Sequence, residues 1–435
     1  MDLLTIGWIG IVALVSMIMI GVPLAFAIGI VGILGNIAVA NYAQTSLQLY
    51  QVTFHLTTEF VLTSVPLFIF MGQLVSSGGI GRDLYEVVHK WLGRLPGGLA
   101  VTSVVSCAAF GAVTGISAAA VATLGSIVMP EMKRYKYSDR LAAGSLASAS
   151  TLAILIPPSL AMVVYGIWTS TSIGKLFIAG IIPGLFVTAV YSIYIIGACM
   201  ANPTLGPRSE FFPLAERVRA LVKLAPVIAI FLFLIGGLYL GWFTPTEGAA
   251  SGSFAVMLLL ALMKRLTWKA IADAARQTAQ LSIMVFAILI SVGLFSRFLV
   301  LTDVTGQMVQ FINAFGLNKY VVFTMIVMLY VILGMFLDGL GMMLLTLPFV
   351  FPIVVALGFD PIWFGIIMTI MIEIGLLTPP VGLNCYILAQ IAPHIALGEI
   401  FRGVVPFVFL TLGCVVAFTI WPEIVLWLPQ QMFGK

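Results

Sequence analysis

The sequence predicts an all-α membrane protein that crosses a bilayer many times. Of its 435 residues, 61% are apolar and only 8% are charged, about a third of the charged fraction that is typical of soluble domains. A water-soluble globule could not bury that much apolar surface. At ~20 residues per crossing, the apolar residues suffice for roughly a dozen spans.

Several classes of function are excluded by composition and motif content. The net charge of +4 is spread over short loops, so the chain has no basic domain for nucleic acid. No Walker A string and no dinucleotide-binding glycine motif occurs, and we expect no ATP hydrolysis by this chain. Its four cysteines and three histidines are scattered, which supports neither a disulfide framework nor a zinc site. Residues 1–20 lack a basic start and a cleavage site, and we interpret them as a retained span.

The basic residues cluster in short loops, and such loops face the cytoplasm. The clusters are Arg82, Lys90 and Arg94; Lys133, Arg134, Lys136 and Arg140; Arg208, Arg217, Arg219 and Lys223; and Lys264, Arg265, Lys269 and Arg276. Alternating between these loops, we predict about ten crossings with both termini outside, over 1–21, 23–40, 60–77, 141–172, 176–200, 225–240, 249–263, 279–300, 362–392 and 403–421. Residues 302–319 would then form an outside loop.

Two apolar stretches are too long for one crossing, and both have a flexible centre. Residues 95–132 are flanked by basic clusters on both sides and contain Gly111 and Gly115. We predict a re-entrant hairpin that enters from the cytoplasm, because non-helical backbone at membrane depth is tolerated only where protein or water surrounds it. Residues 321–357 contain Gly334 and Gly339 between poorly basic flanks, and we predict a second hairpin that enters from outside.

The two halves of the chain repeat each other. The double proline Pro157-Pro158 recurs at Pro379-Pro380, an offset of 222 residues. Four more matches lie at offsets of 222 to 224: Pro130 with Pro352, Gly115 with Gly339, Thr123 with Thr346, and Gly180 and Pro183 with Gly403 and Pro406. With hairpins on opposite sides, this indicates two inverted-topology repeats, an architecture of secondary transporters. The alternative is chance matching in a chain rich in glycine.

The repeat suggests a division into four parts. Residues 1–95 would be scaffold helices of the first repeat, and 96–200 its hairpin, broken helix and following span. Residues 201–300 would be a connecting amphipathic segment with the scaffold helices of the second repeat. Residues 301–435 would be the second hairpin, broken helix and last span. Thr244 to Glu247 (TPTE) has the form of a helix capping box.

Each double proline lies inside an apolar span and must break its helix, because proline has no N–H and clashes with the preceding turn. The carbonyl groups of Ala153 and Ile154 lose their helical donors in the first half, and those of Gly375 and Leu376 in the second. Such neutral, desolvated oxygens suit a dehydrated Na⁺, which nearby side chains could help to bind: Ser150, Thr151, Ser159, Thr378 and Asn384. The alternative is that the prolines only kink the helices.

The hairpin tips add further candidate ligands. Thr114, Gly115 and Ser117 lie in the first tip, and Asp338 and Gly339 in the second. Half-helix N-termini carry partial positive charge, which suits an anionic substrate group. The candidate substrate contacts are Thr114, Ser117, Ser159, Asp338 and Asn384. Two roles stay open: Asp338 is an ion or proton ligand or a helix N-cap, and Glu373 is a titrating or a structural carboxyl group.

Four strings resemble the large membrane subunit of tripartite ATP-independent periplasmic (TRAP) transporters. They are FGAVTGIS at 110–117, IPPS at 156–159, FTPTE at 243–247 and GLLTPPVGLN at 375–384. The resemblance spans essentially the whole chain. It implies Na⁺-coupled import of an organic acid across the bacterial inner membrane by an elevator movement of the hairpins and broken helices against a scaffold. It also implies two partners, a small four-helix membrane subunit on a separate chain and a periplasmic substrate-binding protein.

The resemblance places about two transported Na⁺ ions in this chain. One would lie at Thr114, Gly115 and Ser117 beside the Pro157-Pro158 break, and the other at Asp338 and Gly339 with Thr378 and Asn384. The first tip departs from the family pattern, which is usually richer in serine and glycine, since Ile116 offers only backbone. A proton-coupled carrier, an intramembrane enzyme and a passive channel are the alternatives, and no convergent set of catalytic residues favours an enzyme.

Overall fold

The computed structural model describes residues 2–314 and 318–433, and the regular secondary structure of these residues is helical. The first half of the chain forms ten α-helices among the described residues. They are α1 Leu3–Met19, α2 Leu24–Val39, α3 Tyr42–Thr58, α4 Ser64–Ser77, α5 Ile80–Leu92, α6 Gly98–Thr114, α7 Ser117–Arg134, α8 Asp139–Leu155, α9 Leu160–Thr169 and α10 Ile173–Ala201.

The second half forms twelve α-helices among the described residues. Its members are α11 Leu214–Ala220, α12 Ala225–Phe231, α13 Gly237–Tyr239, α14 Pro245–Leu262, α15 Trp268–Leu301, α16 Val304–Ala314, α17 Lys319–Gly334, α18 Gly339–Ala356, α19 Pro361–Gly375, α20 Leu383–Ile391, α21 Leu397–Ile420 and α22 Glu423–Phe433. From α6–α10 to α17–α21, each helix begins 221 to 224 residues after its counterpart. The helix order therefore follows the offset that the proline and glycine matches give.

Length and composition identify seven helices among the described residues that could cross a membrane, and the bent pair α8–α9 would be an eighth. Helices α1 and α2 are apolar but shorter. Helix α18 is among the seven although it is one arm of a hairpin, so length alone does not separate a crossing from a hairpin arm. The structure is that of a polytopic α-helical membrane protein.

Some helices were not predicted from the sequence. Segments 42–58, 80–92 and 423–433 lie outside every predicted span yet form α3, α5 and α22, and the expected loop at 302–319 contains α16. Helix α5 shows the reason. It carries Asp83, Glu86 and Lys90 on a strongly amphipathic helix whose apolar side is buried, and a search for uniformly apolar runs misses such a helix.

Two helices of the first half pack on longer helices of the second half. Helix α2 lies against α15, where Asn36 Nδ2 donates a hydrogen bond to the Leu294 carbonyl oxygen over 2.9 Å. Helix α14 lies against α4, where Ser253 Oγ donates to the Leu67 carbonyl oxygen over 2.9 Å. The predicted capping box at Thr244 and Glu247 is confirmed at the start of α14. These contacts join helices of the two halves.

The core helices of the two halves also interlock. Helices α8 and α21 cross at Gly144 and Gly403, where a side chain on Gly403 would come within 3.1 Å of the Gly144 nitrogen. Helix α9 packs against α18 of the second hairpin, and α20 packs against α7 of the first. Each broken helix therefore contacts the hairpin of the other half as well as its own.

Candidate ion and substrate site

The first double proline breaks a helix, as the sequence predicts. Helix α8 ends at Leu155, α9 begins at Leu160, and the two bend by 40°. The four residues between them are buried. Ser159 caps α9, since its Oγ accepts a hydrogen bond from the Met162 nitrogen over 3.4 Å. Because residues 157 and 158 are prolines, they supply no N–H to the carbonyl groups of Ala153 and Ile154.

The tip of the first hairpin lies on this break. Gly115 has a φ of 64°, and a Cβ atom there would overlap the carbonyl oxygen of Pro158. One turn earlier, a Cβ atom on Gly111 would lie 3.1 Å from the Ala153 nitrogen. The structure therefore brings Gly115 to the Pro158 carbonyl group, with Thr114 and Ser117 buried on either side of it.

The second double proline also interrupts a helix, over a longer connection. Helix α19 ends at Gly375 and α20 begins at Leu383, which leaves residues 376–382 between them. The Val381 nitrogen donates a hydrogen bond to the Met335 carbonyl oxygen at the second hairpin tip, over 3.2 Å. A Cβ atom on Gly334 would lie 2.7 Å from the Gly375 Cα. Tip and break are therefore in contact in this half too.

At the second break, the carbonyl oxygen of Leu376 has a donor from outside its own helix. Pro380 supplies no helical N–H to it, and it accepts a hydrogen bond from the Asn384 nitrogen over 3.2 Å instead. The Gly375 carbonyl oxygen accepts a weak bond from Thr378 Oγ1 over 3.4 Å. The longer connection explains both contacts, since it lets the first turn of α20 fold back onto the end of α19.

Asp338 is a helix N-cap. Its Oδ2 accepts a hydrogen bond from the Gly341 nitrogen over 3.0 Å at the start of α18, which is one of the two roles that the sequence left open. Within the described ranges, no hydrogen bond joins Asp338 to Thr378 or Asn384. Gly339 is buried against Ile372 of α19. The proposed second ion site is therefore only partly assembled around Asp338.

Asn384 connects the two halves. It is fully buried, and its Nδ2 donates a hydrogen bond to Ser150 Oγ on α8 over 3.0 Å. Ser150 in turn donates to the Ala147 carbonyl oxygen over 2.6 Å. Among the described residues, Asn384 Oδ1 has no hydrogen-bond partner. The sequence indicates both residues as candidate ligands, but nothing in it shows that they meet, since they lie 234 positions apart.

Glu373 is another buried group whose side-chain oxygens have no hydrogen-bond partner among the described residues. It is fully buried in the last turn of α19, and neither carboxyl oxygen forms a hydrogen bond with any part of the chain that the structure describes. Thr151 of α8, Tyr191 of α10 and Cys414 of α21 lie around it. Thr151 uses its proton to bond the Ser148 carbonyl oxygen over 2.7 Å, so it presents only lone pairs to its surroundings. The core thus holds buried oxygens that suit a cation.

The base of the first hairpin is tied to α5 by polar groups. His89 Nδ1 lies 3.6 Å from Glu131 Oε1 of α7, and His89 Nε2 lies 3.0 Å from Ser209 Oγ. Burial lowers the pKa of His89 below its ordinary value, so the imidazole is neutral at pH 7. On the same helix, the hydrogen bond from Lys223 lowers the pKa of Glu86.

The described chain thus has two hairpins in contact with two broken helices, in a fold of mostly apolar helices. Residues 11–424 match the family described as the DctM component of the tripartite ATP-independent periplasmic transporter. The chain belongs to this family, as the resemblance predicts.

Relatives and solved structures agree with this assignment. The chain is 32% identical over 405 residues to the C4-dicarboxylate TRAP transporter large permease protein DctM of Pseudomonas aeruginosa, covering 92% of this chain and 94% of that protein. It is 34% identical over 381 residues to the ectoine/5-hydroxyectoine TRAP transporter large permease protein UehC of Ruegeria pomeroyi, covering 86% and 87%. The Alcanivorax borkumensis YdaH transporter shares the fold, with a TM-score of 0.57, 14% identity and coverage of 88% and 89%.

Proposed function

We propose that this chain imports an organic acid by secondary active transport coupled to Na⁺. The observation that carries the proposal is that a hairpin tip contacts each helix break, where prolines supply no helical donors and, at the second break, the buried Asn384 Oδ1 has no partner among the described residues. Desolvated carbonyl and amide oxygens replace the hydration shell of a bare alkali cation, and interrupted helices at the bilayer midplane hold ions in this way in other carriers.

The first ion would bind where Gly115 meets Pro158. Its ligands would be the carbonyl groups of Ala153 and Ile154, which have lost their helical donors, together with oxygens of Thr114, Gly115 and Ser117. All of these residues are buried, so an ion there would be dehydrated. Ile116 would contribute only backbone to the tip.

The second ion would bind near Asn384. Its Oδ1 is buried without a protein donor, and the Gly375 carbonyl group and Thr378 Oγ1 lie at the same break. Asp338 and Gly339 would complete this site only if the second tip closes further, because Asp338 is exposed in this conformation and engaged as a cap. The order of events would then be ion binding followed by tip closure.

Coupling would follow from differential affinity. Na⁺ that orders both tips would create the substrate site between them, at Thr114, Ser117, Ser159, Asp338 and Asn384, where half-helix N-termini favour a carboxylate. The hairpins and broken helices would move as one unit against the outer helices, as an elevator. The repeated helix order supports this proposal, since inverted repeats supply the two alternative states.

The substrate and partners follow from the family. Relatives are named for C4-dicarboxylate and for ectoine, and we propose an organic acid delivered by a periplasmic substrate-binding protein. A small membrane subunit on a separate chain would complete the transporter in the bacterial inner membrane.

Uptake by proteoliposomes tests the proposal. The chain is reconstituted with both partners, and accumulation of a radiolabelled C4-dicarboxylate and of ectoine is followed at fixed pH with external Na⁺ or with choline. We expect accumulation only with Na⁺. Undiminished uptake in choline would contradict Na⁺ coupling, and if it then collapsed on addition of a protonophore, a proton-coupled carrier would be supported.

A further inference from the structure

A cleft lies beside the end of α10, away from the hairpin tips. Its cavity of about 380 Å³ is lined mainly by Pro96, Met200, Pro203, Pro207 and Arg208. The walls are apolar, and Arg208 is the charged residue among them. We call this feature, together with the neighbouring Arg94, Phe211 and Arg217, the linker cleft.

The walls of the linker cleft are fixed by backbone hydrogen bonds. The Gly97 nitrogen donates to the Gly206 carbonyl oxygen over 3.1 Å, and the Ser209 nitrogen donates to the Gly93 carbonyl oxygen over 3.0 Å. Tyr137 Oη donates to the Pro207 carbonyl oxygen over 2.8 Å. Residues 202–213, the linker between α10 and α11, are therefore hydrogen-bonded both to the turn before α6 and to the turn before α8. These bonds give the cleft a preformed shape.

The rim of the cleft carries arginines, with Glu210 and Glu216 close to them in the sequence. Arg217 Nε donates a hydrogen bond to the Phe212 carbonyl oxygen over 2.9 Å. The guanidinium carbons of Arg94 and Arg217 lie 4.9 Å and 5.4 Å from the centre of the Phe211 ring. None of Arg94, Arg208 and Arg217 forms an ion pair in the part of the chain that the structure describes. Two cations held on one aromatic ring repel each other, and an anion between them would relieve that repulsion.

The residues that follow the rim have the pattern of an interfacial segment. Leu214, Val218 and Val222 are more than half exposed, and they alternate with basic residues along the chain. Trp91 is 40% exposed and its Nε1 donates to the Arg217 carbonyl oxygen over 3.2 Å. Exposed apolar residues interleaved with arginine, beside a half-exposed tryptophan, are typical of protein surface that lies at the boundary of headgroups and acyl chains.

We propose that the linker cleft binds the headgroup of an anionic phospholipid from the leaflet on the basic side of the membrane. The phosphate group would lie between the guanidinium groups of Arg94, Arg208 and Arg217, which form charge-assisted hydrogen bonds with phosphate oxygens. The glycerol region would fill the apolar cavity against Pro203 and Pro207. The site holds the first hairpin to the linker, and it does not depend on the identity of the coupling ion.

Native mass spectrometry of the purified full-length protein tests the site. The probes are phosphatidylglycerol and phosphatidylcholine with identical acyl chains. We expect retained phosphatidylglycerol adducts in the wild type and, in Arg94→Gln/Arg217→Gln, an affinity at least about tenfold lower, a loss of roughly 1.4 kcal/mol. The control is Lys269→Gln/Arg276→Gln, which removes the same charge from exposed positions on α15 and should leave binding unchanged.

A second variant fills the cavity without changing charge. Met200→Trp on the cavity wall should also weaken phosphatidylglycerol binding, while thermal unfolding of all variants stays close to that of the wild type. Equal loss in the test and control pairs, equal binding of phosphatidylcholine, or displacement of the lipid by inorganic phosphate would each overturn the proposal.

Discussion

The two helix breaks share a double proline and differ in what covers them. At the first break, residues 156–159 are all buried, and Gly115 of the first tip lies directly on the Pro158 carbonyl group. At the second, Pro379, Pro380 and Val381 are exposed, and one backbone hydrogen bond to Met335 connects the tip.

The comparison shows that one sequence motif can form a closed and an open site in the same molecule. The prolines remove the same helical hydrogen bonds in both halves, so the difference lies in the length of the connection at each break. A four-residue connection leaves the first break covered, whereas a seven-residue connection leaves the second accessible from the protein surface. Under the proposed mechanism, ions would enter the second site first.

The largest effect should come from a side chain at the closed break. In Gly115→Ala, the new methyl group would overlap the Pro158 carbonyl oxygen and the backbone would hold a φ of 64°. We expect uptake to be lost and the protein to be destabilised by at least about 2 kcal/mol. Uptake per folded protein and thermal unfolding measure both effects.

Gly358→Ala is the matched control. Gly358 also has a positive φ, of 78°, but no atom lies within 4 Å of the position of its Cβ. We expect a destabilisation of only about 1 kcal/mol, from backbone strain alone, and normal uptake. If both variants behaved alike, the tip would not be closing the first break.

At the second, open break, we expect substitutions to weaken the binding of Na⁺. In Asn384→Ala, the donor-free Oδ1 is removed, and we expect the Na⁺ concentration for half-maximal uptake to rise about tenfold, equivalent to ~1.4 kcal/mol. The measurement is a Na⁺ titration of initial uptake rates, corrected for the amount of protein inserted. Thr378→Ala should act in the same direction and more weakly, since Thr378 is only half-buried.

Asn36→Ala controls for the loss of a buried amide. Asn36 is also fully buried, also bonds through Nδ2, and also has an Oδ1 without a partner among the residues described. It lies on α2 against α15, far along the chain from either break. An equal shift of the Na⁺ titration in both variants would remove Asn384 from the ion site.

The breaks and the hairpins could be predicted because they depend on local chemistry. Proline at 157–158 and 379–380 removes backbone donors wherever it lies, and glycine at 115 permits a positive φ that other residues resist. The high apolar content and the lengths of the apolar segments also sufficed to predict an all-helical membrane fold. These features need no knowledge of which helices are neighbours.

The parts that could not be predicted depend on packing between distant segments. The bond between Asn384 and Ser150 joins the two halves, and no pattern in either segment encodes it. The Leu376 carbonyl oxygen accepts its hydrogen bond from the Asn384 nitrogen because of the path that residues 376–382 take. The sequence gives the number of residues in this connection but not its path. The burial of Glu373 without a partner likewise results from four helices that meet around it.

Labelling should sharpen the contrast between the breaks. The native cysteines, at 107, 199, 385 and 414, are buried, so single introduced cysteines report on their own positions. We expect Val381→Cys, at a position 39% exposed, to react severalfold faster with a water-soluble maleimide than Ile156→Cys, at a position 7% exposed. Na⁺ should slow Val381→Cys if the second tip closes over its ion. Equal rates at the two positions would mean that the breaks are equally covered.

The smallest predicted effect is the pH dependence of the unfolding temperature, which we expect to arise beside the first hairpin. Burial lowers the pKa of His89 below its ordinary value of 6.5, so the unfolded chain takes up a proton at a higher pH than the folded protein does. Stability is therefore complete above about pH 6.5 and falls as the pH drops through that value. We expect the unfolding temperature to decrease by a few degrees between pH 7.5 and 5.5, and His89→Gln to lose much of that decrease.

The acid sensitivity comes from the burial of His89, because the Glu131 carboxylate, 3.6 Å from His89 Nδ1, favours the protonated imidazole and only partly offsets that burial. The residue that matches Glu131 at the repeat offset in the second hairpin is Ile353, which cannot titrate. His55→Gln is the control, since its side chain is 76% exposed and its removal should leave the pH dependence unchanged. If His55→Gln and His89→Gln flattened the profile equally, the burial of His89 beside the first hairpin would not be the source of the acid sensitivity.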